Sequence, residues 1–157
     1  MARYTVGTGH AGTQQAMTTT YKTLVSLTAA TGATTLRKAF IYDIMFGTDG
    51  TPADNAMTWK VDRQTTLGTG TASVPSPLDG GDAAALIVAT ANYTIEPTVT
   101  AATQLVELGM NQRASYRWVA APGGELVVPA TNVAGIGARA KSPGYTGTAT
   151  CNLHFWE

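Results

Sequence analysis

The chain has 157 residues and a mass of 16.3 kDa, a size that fits one domain. Charged residues make up only 13% of the sequence, and ten Lys and Arg balance ten Asp and Glu, so the formal net charge is zero. This balance argues against a nucleic-acid-binding protein, which would carry a basic excess, and against a charge-driven disordered chain. Thr, Ala and Gly supply 27, 25 and 17 residues, and this content favours strands and tight loops.

The N-terminal segment, residues 1–18, is rich in Gly, Thr and Gln and keeps no sustained apolar period. We expect it to form an extended N-terminal arm, with residues 19–157 forming the folded domain. Such an arm could reach roughly 60 Å, and it would either fray or bind another molecule. The sequence shows no apolar leader, and its apolar runs are too short to cross a bilayer. Synthesis in a cytoplasm, with no membrane partner, is therefore expected.

From residue 19 onward, apolar side chains recur with a period of two, which is typical of β-strands. In strand 36–46, for example, Phe40, Tyr42, Ile44 and Phe46 are expected to share one side. The predicted strands are 21–27, 36–46, 57–64, 84–90, 93–95, 104–108, 114–120, 125–128, 133–140 and 145–156. Turn-forming residues are concentrated at 47–55 and 68–82. The pattern predicts an all-β antiparallel sandwich, most readily a jelly roll, with an immunoglobulin-like sandwich as the alternative.

Motifs that would carry chemistry are weak in this sequence. Residues 7–12 match the G-x-G-x-x-G string of dinucleotide-binding proteins, but neither the strand before it nor the long helix after it is predicted. The two histidines, His10 and His154, lie at opposite ends of the chain. Asp79 and Asp82 could supply oxygens to Ca²⁺, yet their spacing is more typical of turn residues. We predict no catalytic site, no metal site and no cofactor.

The single cysteine and the tryptophans are interpreted from their strand positions. Cys151 lies in an alternating run and is expected to be a small buried hydrophobic residue. Trp156 lies on the face opposite Phe155, so it points outward if Phe155 faces the core. An exposed tryptophan can stack on a sugar ring or bind a protein partner. The alternative is that this strand is buried on both faces.

Two stretches of the chain resemble a known family. They are Phe46-Gly47-Thr48-Asp49-Gly50-Thr51-Pro52-Ala53-Asp54-Asn55 and Asn111-Gln112-Arg113-Ala114-Ser115-Tyr116-Arg117-Trp118-Val119-Ala120-Ala121-Pro122-Gly123-Gly124-Glu125-Leu126. They resemble the head decoration, or cement, proteins of tailed bacteriophages, which are encoded beside the major capsid protein. The resemblance runs from about Leu36 to the C-terminus. It implies a jelly-roll-like sandwich that oligomerises on the outer face of the head, across joints between capsid subunits.

The sequence therefore leads to a structural hypothesis. We expect a non-enzymatic capsid cement protein of the virion surface, whose partners are the major capsid protein and further copies of itself, as a dimer or trimer. A surface poor in charge agrees with this, because neighbouring copies and the shell would cover it. The expected capsid or oligomer contacts are Arg3, Tyr4, Val6, Gln14, Gln15, Met17 and Trp156. The alternative function is a carbohydrate- or receptor-binding module of a phage fibre or adhesin, which would use Trp156 or Trp59 as a stacking platform.

Overall fold

The computed structural model describes residues 1–29, 36–144 and 147–157. More than half of these residues lie in strands, and a short 3-10 helix spans Thr8–Ala11. In chain order the strands are β1 (Arg3–Gly7), β2 (Gln15–Ala16), β3 (Lys22–Thr28), β4 (Ala39–Asp49), β5 (Ala56–Gln64), β6 (Thr69–Ala72), β7 (Ser76–Pro77), β8 (Val88–Ile95), β9 (Val99–Asn111), β10 (Tyr116–Val119), β11 (Leu126–Val128), β12 (Gly135–Lys141) and β13 (Thr148–Trp156). The described residues include no helix long and apolar enough to cross a membrane.

The strands form two sheets. The seven-stranded sheet has the order β10-β4-β13-β1-β7, with β11 also pairing with β4 and β2 with β13. The six-stranded sheet has the order β6-β8-β3-β12-β5-β9. All pairings between these strands are antiparallel. This confirms the all-β sandwich, whereas the jelly-roll subclass stays a prediction.

The hydrophobic core lies between the two sheets. On β13, inward side chains such as Leu153 and Phe155 are buried and alternate with partly exposed ones. Phe46 on β4 meets Trp59 on β5 across the sandwich, with ring centroids 5.1 Å apart. Tyr4 stacks on Phe155 with centroids 5.4 Å apart. Burial of this apolar surface is the main stabilising contribution, and it fixes which face of each strand remains available outside.

Most predicted strands are present with shifted ends. The predicted strands at 84–90 and 93–95 are instead a single strand, β8, and the segment 104–108 is the middle of the longer β9. The predicted loop at 68–82 contains the short strands β6 and β7. Tyr145 and Thr146, which were assigned to the last strand, lie outside the described residues.

The N-terminal segment differs from the extended arm expected for residues 1–18. Arg3–Gly7 is strand β1, which pairs with β13 on one side and with β7 on the other. Tyr4 and Val6 are buried in the core, and Met17 is buried as well. The segment lies within the sandwich because Tyr4 and Val6 fill the core while Arg3 and Thr5 face outward. This alternation covers too few residues to predict a strand from the sequence.

Strand β4 corrects a second expectation. His154 pairs with Asp43, but the next residue, Phe155, pairs with Ile41, so Tyr42 is an extra residue in β4. This β-bulge changes the alternation between the two faces. Ile41 is therefore buried, whereas Phe40 and Tyr42, which were expected on the same side as Ile44 and Phe46, lie on the opposite, outer face.

Candidate functional site

The outer face of the seven-stranded sheet carries a group of aromatic side chains, Phe40, Tyr42, His154 and Trp156, which we call the outer aromatic patch. Phe40 and Trp156 are cross-strand neighbours on β4 and β13, and their rings stack with centroids 3.8 Å apart and planes 9° apart. Tyr42 and His154 form a tilted pair with centroids 6.0 Å apart. All four residues are only partly buried. The outward position of Trp156 predicted from the sequence is confirmed.

A buried carboxylate holds this part of the sheet together. Asp43 is only 2% exposed, and both of its oxygens accept hydrogen bonds from Nε of Arg117 at 2.9 and 3.1 Å. His154 Nδ1 lies 3.4 Å from Oδ2 of the same carboxylate. The hydrogen bonds from Arg117 hold the pKa of Asp43 below its ordinary value, although burial acts in the opposite direction. Asp43 therefore ties β4 to β10 and positions His154 within the patch.

Replacing Asp43 by asparagine should lower the free energy of unfolding at neutral pH by about 1–2 kcal/mol, because the charged hydrogen bonds to a largely exposed Arg117 are lost. The folded-state pKa of Asp43 is depressed, so its contribution is complete above the unfolded pKa of about 3.9 and is lost as the pH falls through the folded value. Urea unfolding between neutral pH and strong acid should therefore show a weaker pH dependence in Asp43→Asn. The exposed Asp54 provides the control, and Asp54→Asn should change little.

A shallow depression of about 260 Å³ adjoins the patch and is lined by Arg3, Tyr42, Glu125 and Trp156. Arg3 lies directly opposite Trp156 in the pairing of β1 with β13. Neither Arg3 nor Glu125 makes an ion pair or side-chain hydrogen bond with another described residue. The depression thus presents a cationic donor, a carboxylate acceptor and aromatic surface, all of them available to a ligand.

The other predicted contact residues are placed differently. Tyr4, Val6 and Met17 are core residues. Gln15 is buried and accepts a hydrogen bond from the backbone N–H of Tyr93 at 2.7 Å. Gln14 lies near the surface, where it donates to Asp49 and accepts from Thr148. The structure therefore brings together only Arg3 and Trp156 of the predicted set, and buried members cannot contact a partner while β1 remains in the sheet.

A second depression, of about 450 Å³, lies on the same outer face around residues 7–10 and includes Gln14 and Met45. It contains most of the Gly-rich string. Strand β1 runs into this string at Gly7, contrary to the expectation, but the helix here is the four-residue 3-10 helix Thr8–Ala11, which lies inside the string. A dinucleotide fingerprint needs a long helix whose N-terminus binds the pyrophosphate, so this string lacks its context. His10 Nδ1 is hydrogen-bonded to the carbonyl of Val74 at 3.0 Å, which pins the helix to the loop after β6.

The remaining polar candidates act within the fold. Asp79 accepts hydrogen bonds from the backbone N–H groups of Gly81, through Oδ1, and of Asp82, through its carbonyl oxygen, as a turn residue does. Cys151 is buried, and burial raises the pKa of its thiol, which confirms the interpretation as a small core residue. Within residues 1–29, 36–144 and 147–157, no three His, Cys, Asp or Glu side chains are grouped closely enough to hold a metal ion.

Comparison with family models, with curated proteins and with solved structures finds no match to this chain. The site residues that the sequence analysis missed are Phe40, Tyr42, His154 and Glu125. The alternation of β13 places His154 beside Trp156, so this residue could have been found. Phe40 and Tyr42 depend on the bulge in β4, and Glu125 depends on the pairing of β11 with β4, which no local pattern reveals.

Proposed function

We propose that this protein is a non-enzymatic decoration protein of a tailed-bacteriophage head. It binds the outer surface of the capsid as a homo-oligomer and stabilises contacts between major capsid protein subunits. The observation that carries the proposal is the outer aromatic patch, a partly exposed group of aromatic side chains on the outer face of the seven-stranded sheet. Aromatic residues and arginine are enriched where proteins bind one another, and Arg3 adjoins this patch.

The two stretches that carry the family resemblance also meet in the fold. Gln112, in the second stretch, is fully buried, and its Oε1 accepts the backbone N–H of Ala53, in the first stretch, at 2.9 Å. Thr48 Oγ1 donates to the carbonyl of Gln112 at 2.6 Å. The resemblance thus covers one connected unit of β4, the loop after it, and β10, which supports its use as a guide to function.

Stabilisation of a shell follows from mass action. A protein that binds only the assembled lattice stabilises it by RT ln(1 + [L]/Kd) at every site, about 2.7 kcal/mol when the free protein exceeds Kd a hundredfold. No reaction is needed, and many identical sites add their contributions. The outer aromatic patch, together with Arg3, is the proposed contact surface.

Trp156→Ala is expected to weaken binding to undecorated, expanded heads at least tenfold, because central tryptophans are the usual hot spots of interfaces. The heads should be assembled from the major capsid protein encoded with this chain, and binding measured by co-sedimentation. Ile95→Ala is the matched control, since Ile95 is 62% exposed but lies on the other sheet. Equal occupancy by Trp156→Ala and the wild-type chain would contradict the proposed contact surface, and no binding by either would contradict the function.

The depression beside the patch favours one second candidate, a carbohydrate-binding module. Arg3 and Glu125 supply donors and an acceptor for sugar hydroxyls, and Trp156 supplies an aromatic surface. Trp59 is excluded as a platform because it is completely buried. A glycan array with the variants Trp156→Ala and Glu125→Gln separates the two functions. A carbohydrate-binding module would lose glycan binding in both variants and would not bind heads.

A further inference from the structure

Strand β9 differs from every other edge of the two sheets. It has 13 residues and pairs only with β5 among the described strands, so its second edge is open. The other edge strands, β6, β7, β10 and β11, have between two and four residues each. Folded proteins normally protect sheet edges by keeping them short or by placing lysine or proline on them. A long open edge therefore indicates that another strand covers it.

The regular part of β9 is its C-terminal half. Val106 to Asn111 pair without interruption with Val61 to Ala56, whereas register shifts and the positive φ of Ala102 disturb the pairing further upstream. The end of β9 is firmly held, because Gln112 donates its N–H to the carbonyl of Asn55 at 2.9 Å. A strand held on one side and at its end loses little conformational freedom when it binds a partner.

Apolar side chains reach the surface along this edge. Val106, Leu108 and Met110 pair with fully buried core residues of β5, yet they are only partly buried themselves. The facing edge of the other sheet adds Trp118 and Leu126, which are also partly buried. The two edges lie on the same side of the sandwich because β4 and β5 face each other. We call these five side chains the open seam.

Charges along the edge do not oppose association. Glu107 is the only charged residue of β9, and its carboxylate lies 3.3 Å from Lys60 Nζ on the neighbouring strand. The whole chain has no formal net charge. Two identical copies therefore meet without long-range repulsion, and identical strands are self-complementary when they pair in the antiparallel direction about a twofold axis.

We propose that the occupant of this edge is a second copy of the chain, whose β9 pairs antiparallel with the first and joins two six-stranded sheets across a twofold axis. The inference deepens the proposed function, since it names the surface through which the homo-oligomer forms. A twofold axis perpendicular to the sheet leaves the core-facing side of both copies on the same side of the joined sheet. Residues that lie opposite each other in antiparallel strands project to the same face. The axis must therefore lie where one residue is opposite its own copy. The axis passes at Leu108, which places Val106 opposite Met110 of the second copy and joins the two open seams.

This register also settles where Glu107 lies. With the axis at Leu108, each Glu107 is opposite Gly109 of the second copy. An axis at Glu107 would instead place two carboxylates directly opposite each other, which is unfavourable. A Cβ at Gly109 has no atom closer than 3.8 Å, the carbonyl oxygen of Met57, so larger residues fit there in the single chain.

The test uses opposite charges at one position. Gly109→Glu should weaken the dimer roughly tenfold, because two like-charge pairs form, whereas Gly109→Lys should leave it unchanged or tighten it. Molar mass by light scattering and sedimentation, over a wide concentration range and without any heads, gives the dissociation constants. Leu86→Lys, at an exposed position outside the seam, is the control and should dimerise as the wild-type chain does.

Hydrogen exchange provides a second measurement that does not depend on a substitution. Backbone amides between residues 104 and 111 should become more protected as the concentration rises through the dissociation constant. A wild-type chain that stays monomeric, forms trimers, or dimerises equally well as Gly109→Glu and Gly109→Lys overturns the proposal. These results are obtained without heads, so a monomer that still binds heads overturns the dimer and the homo-oligomeric part of the proposed function, but not capsid binding itself.

Discussion

Replacing Trp59 by alanine should lower the free energy of unfolding by about 3–5 kcal/mol. Trp59 is completely buried in β5, and its ring meets that of Phe46 from the opposite sheet. Its removal deletes the largest side chain of the core and leaves a cavity between two sheets that cannot fully collapse. Urea unfolding followed by circular dichroism at neutral pH measures the change.

The variant Trp59→Phe separates the contribution of the aromatic ring to stability from that of the indole N–H. Trp59 Nε1 is buried without a hydrogen-bond partner among the described residues, so its loss should cost little. Phenylalanine should therefore restore most of the stability. Trp156→Ala, on the outer face, should cost about 1 kcal/mol through loss of its stack on Phe40, clearly less than Trp59→Ala. If Trp59→Ala were as stable as the wild-type chain, the packing described for the core would be wrong.

The sequence predicts best where a strand alternates regularly and has one buried face. In β13, the alternation places Leu153 and Phe155 inward and Trp156 outward without any knowledge of neighbouring strands. The same holds for Met57, Trp59 and Val61 in β5. One buried face imposes a period of two, and a shift by one residue would expose the whole apolar set.

Local patterns fail where the pairing of distant strands decides the outcome. The bulge at Tyr42 arises because β13 pairs with β4 in two registers. If the alternation of faces is counted back from Phe46 without the bulge, Phe40 is assigned to the wrong face. Strand β1 has too few residues to display its period, and its position depends on β13, at the other end of the chain. The depression lined by Arg3, Tyr42, Glu125 and Trp156 depends on both effects. Arg3 and Trp156 were predicted as contact residues, but their meeting with Tyr42 and Glu125 could not be predicted from local patterns.

The proposed dimer has a geometric consequence for binding a shell. A twofold axis perpendicular to the six-stranded sheets also runs roughly perpendicular to the seven-stranded sheets packed on them. Both outer aromatic patches then face the same direction. A dimer would present two equivalent patches to one flat lattice, and the second contact would form at a high effective concentration. Gly109→Glu should therefore weaken head binding as well, although the patch itself is unchanged.

Gly135→Ala should destabilise the protein by about 3 kcal/mol, because overpacking at this position cannot be relieved by a flexible side chain. Gly135 begins β12, between β3 and β5 in the middle of the six-stranded sheet. A Cβ there would collide with the carbonyl oxygen of Leu27 and lie 2.5 Å from Thr28 Cγ2. Relief requires β3 and β12 to separate, which weakens their ladder of backbone hydrogen bonds.

The same substitution at Gly109 is the matched control. Gly109 lies in the same sheet, but a Cβ there meets only ordinary van der Waals contact, so alanine should be neutral or slightly stabilising by restricting the unfolded chain. Thermal unfolding of both variants measures the difference. Equal melting temperatures would show that β12 is not held closely between its neighbours. A selective loss in Gly135→Ala would instead support the close packing of β12 between β3 and β5, in the six-stranded sheet whose open edge is β9.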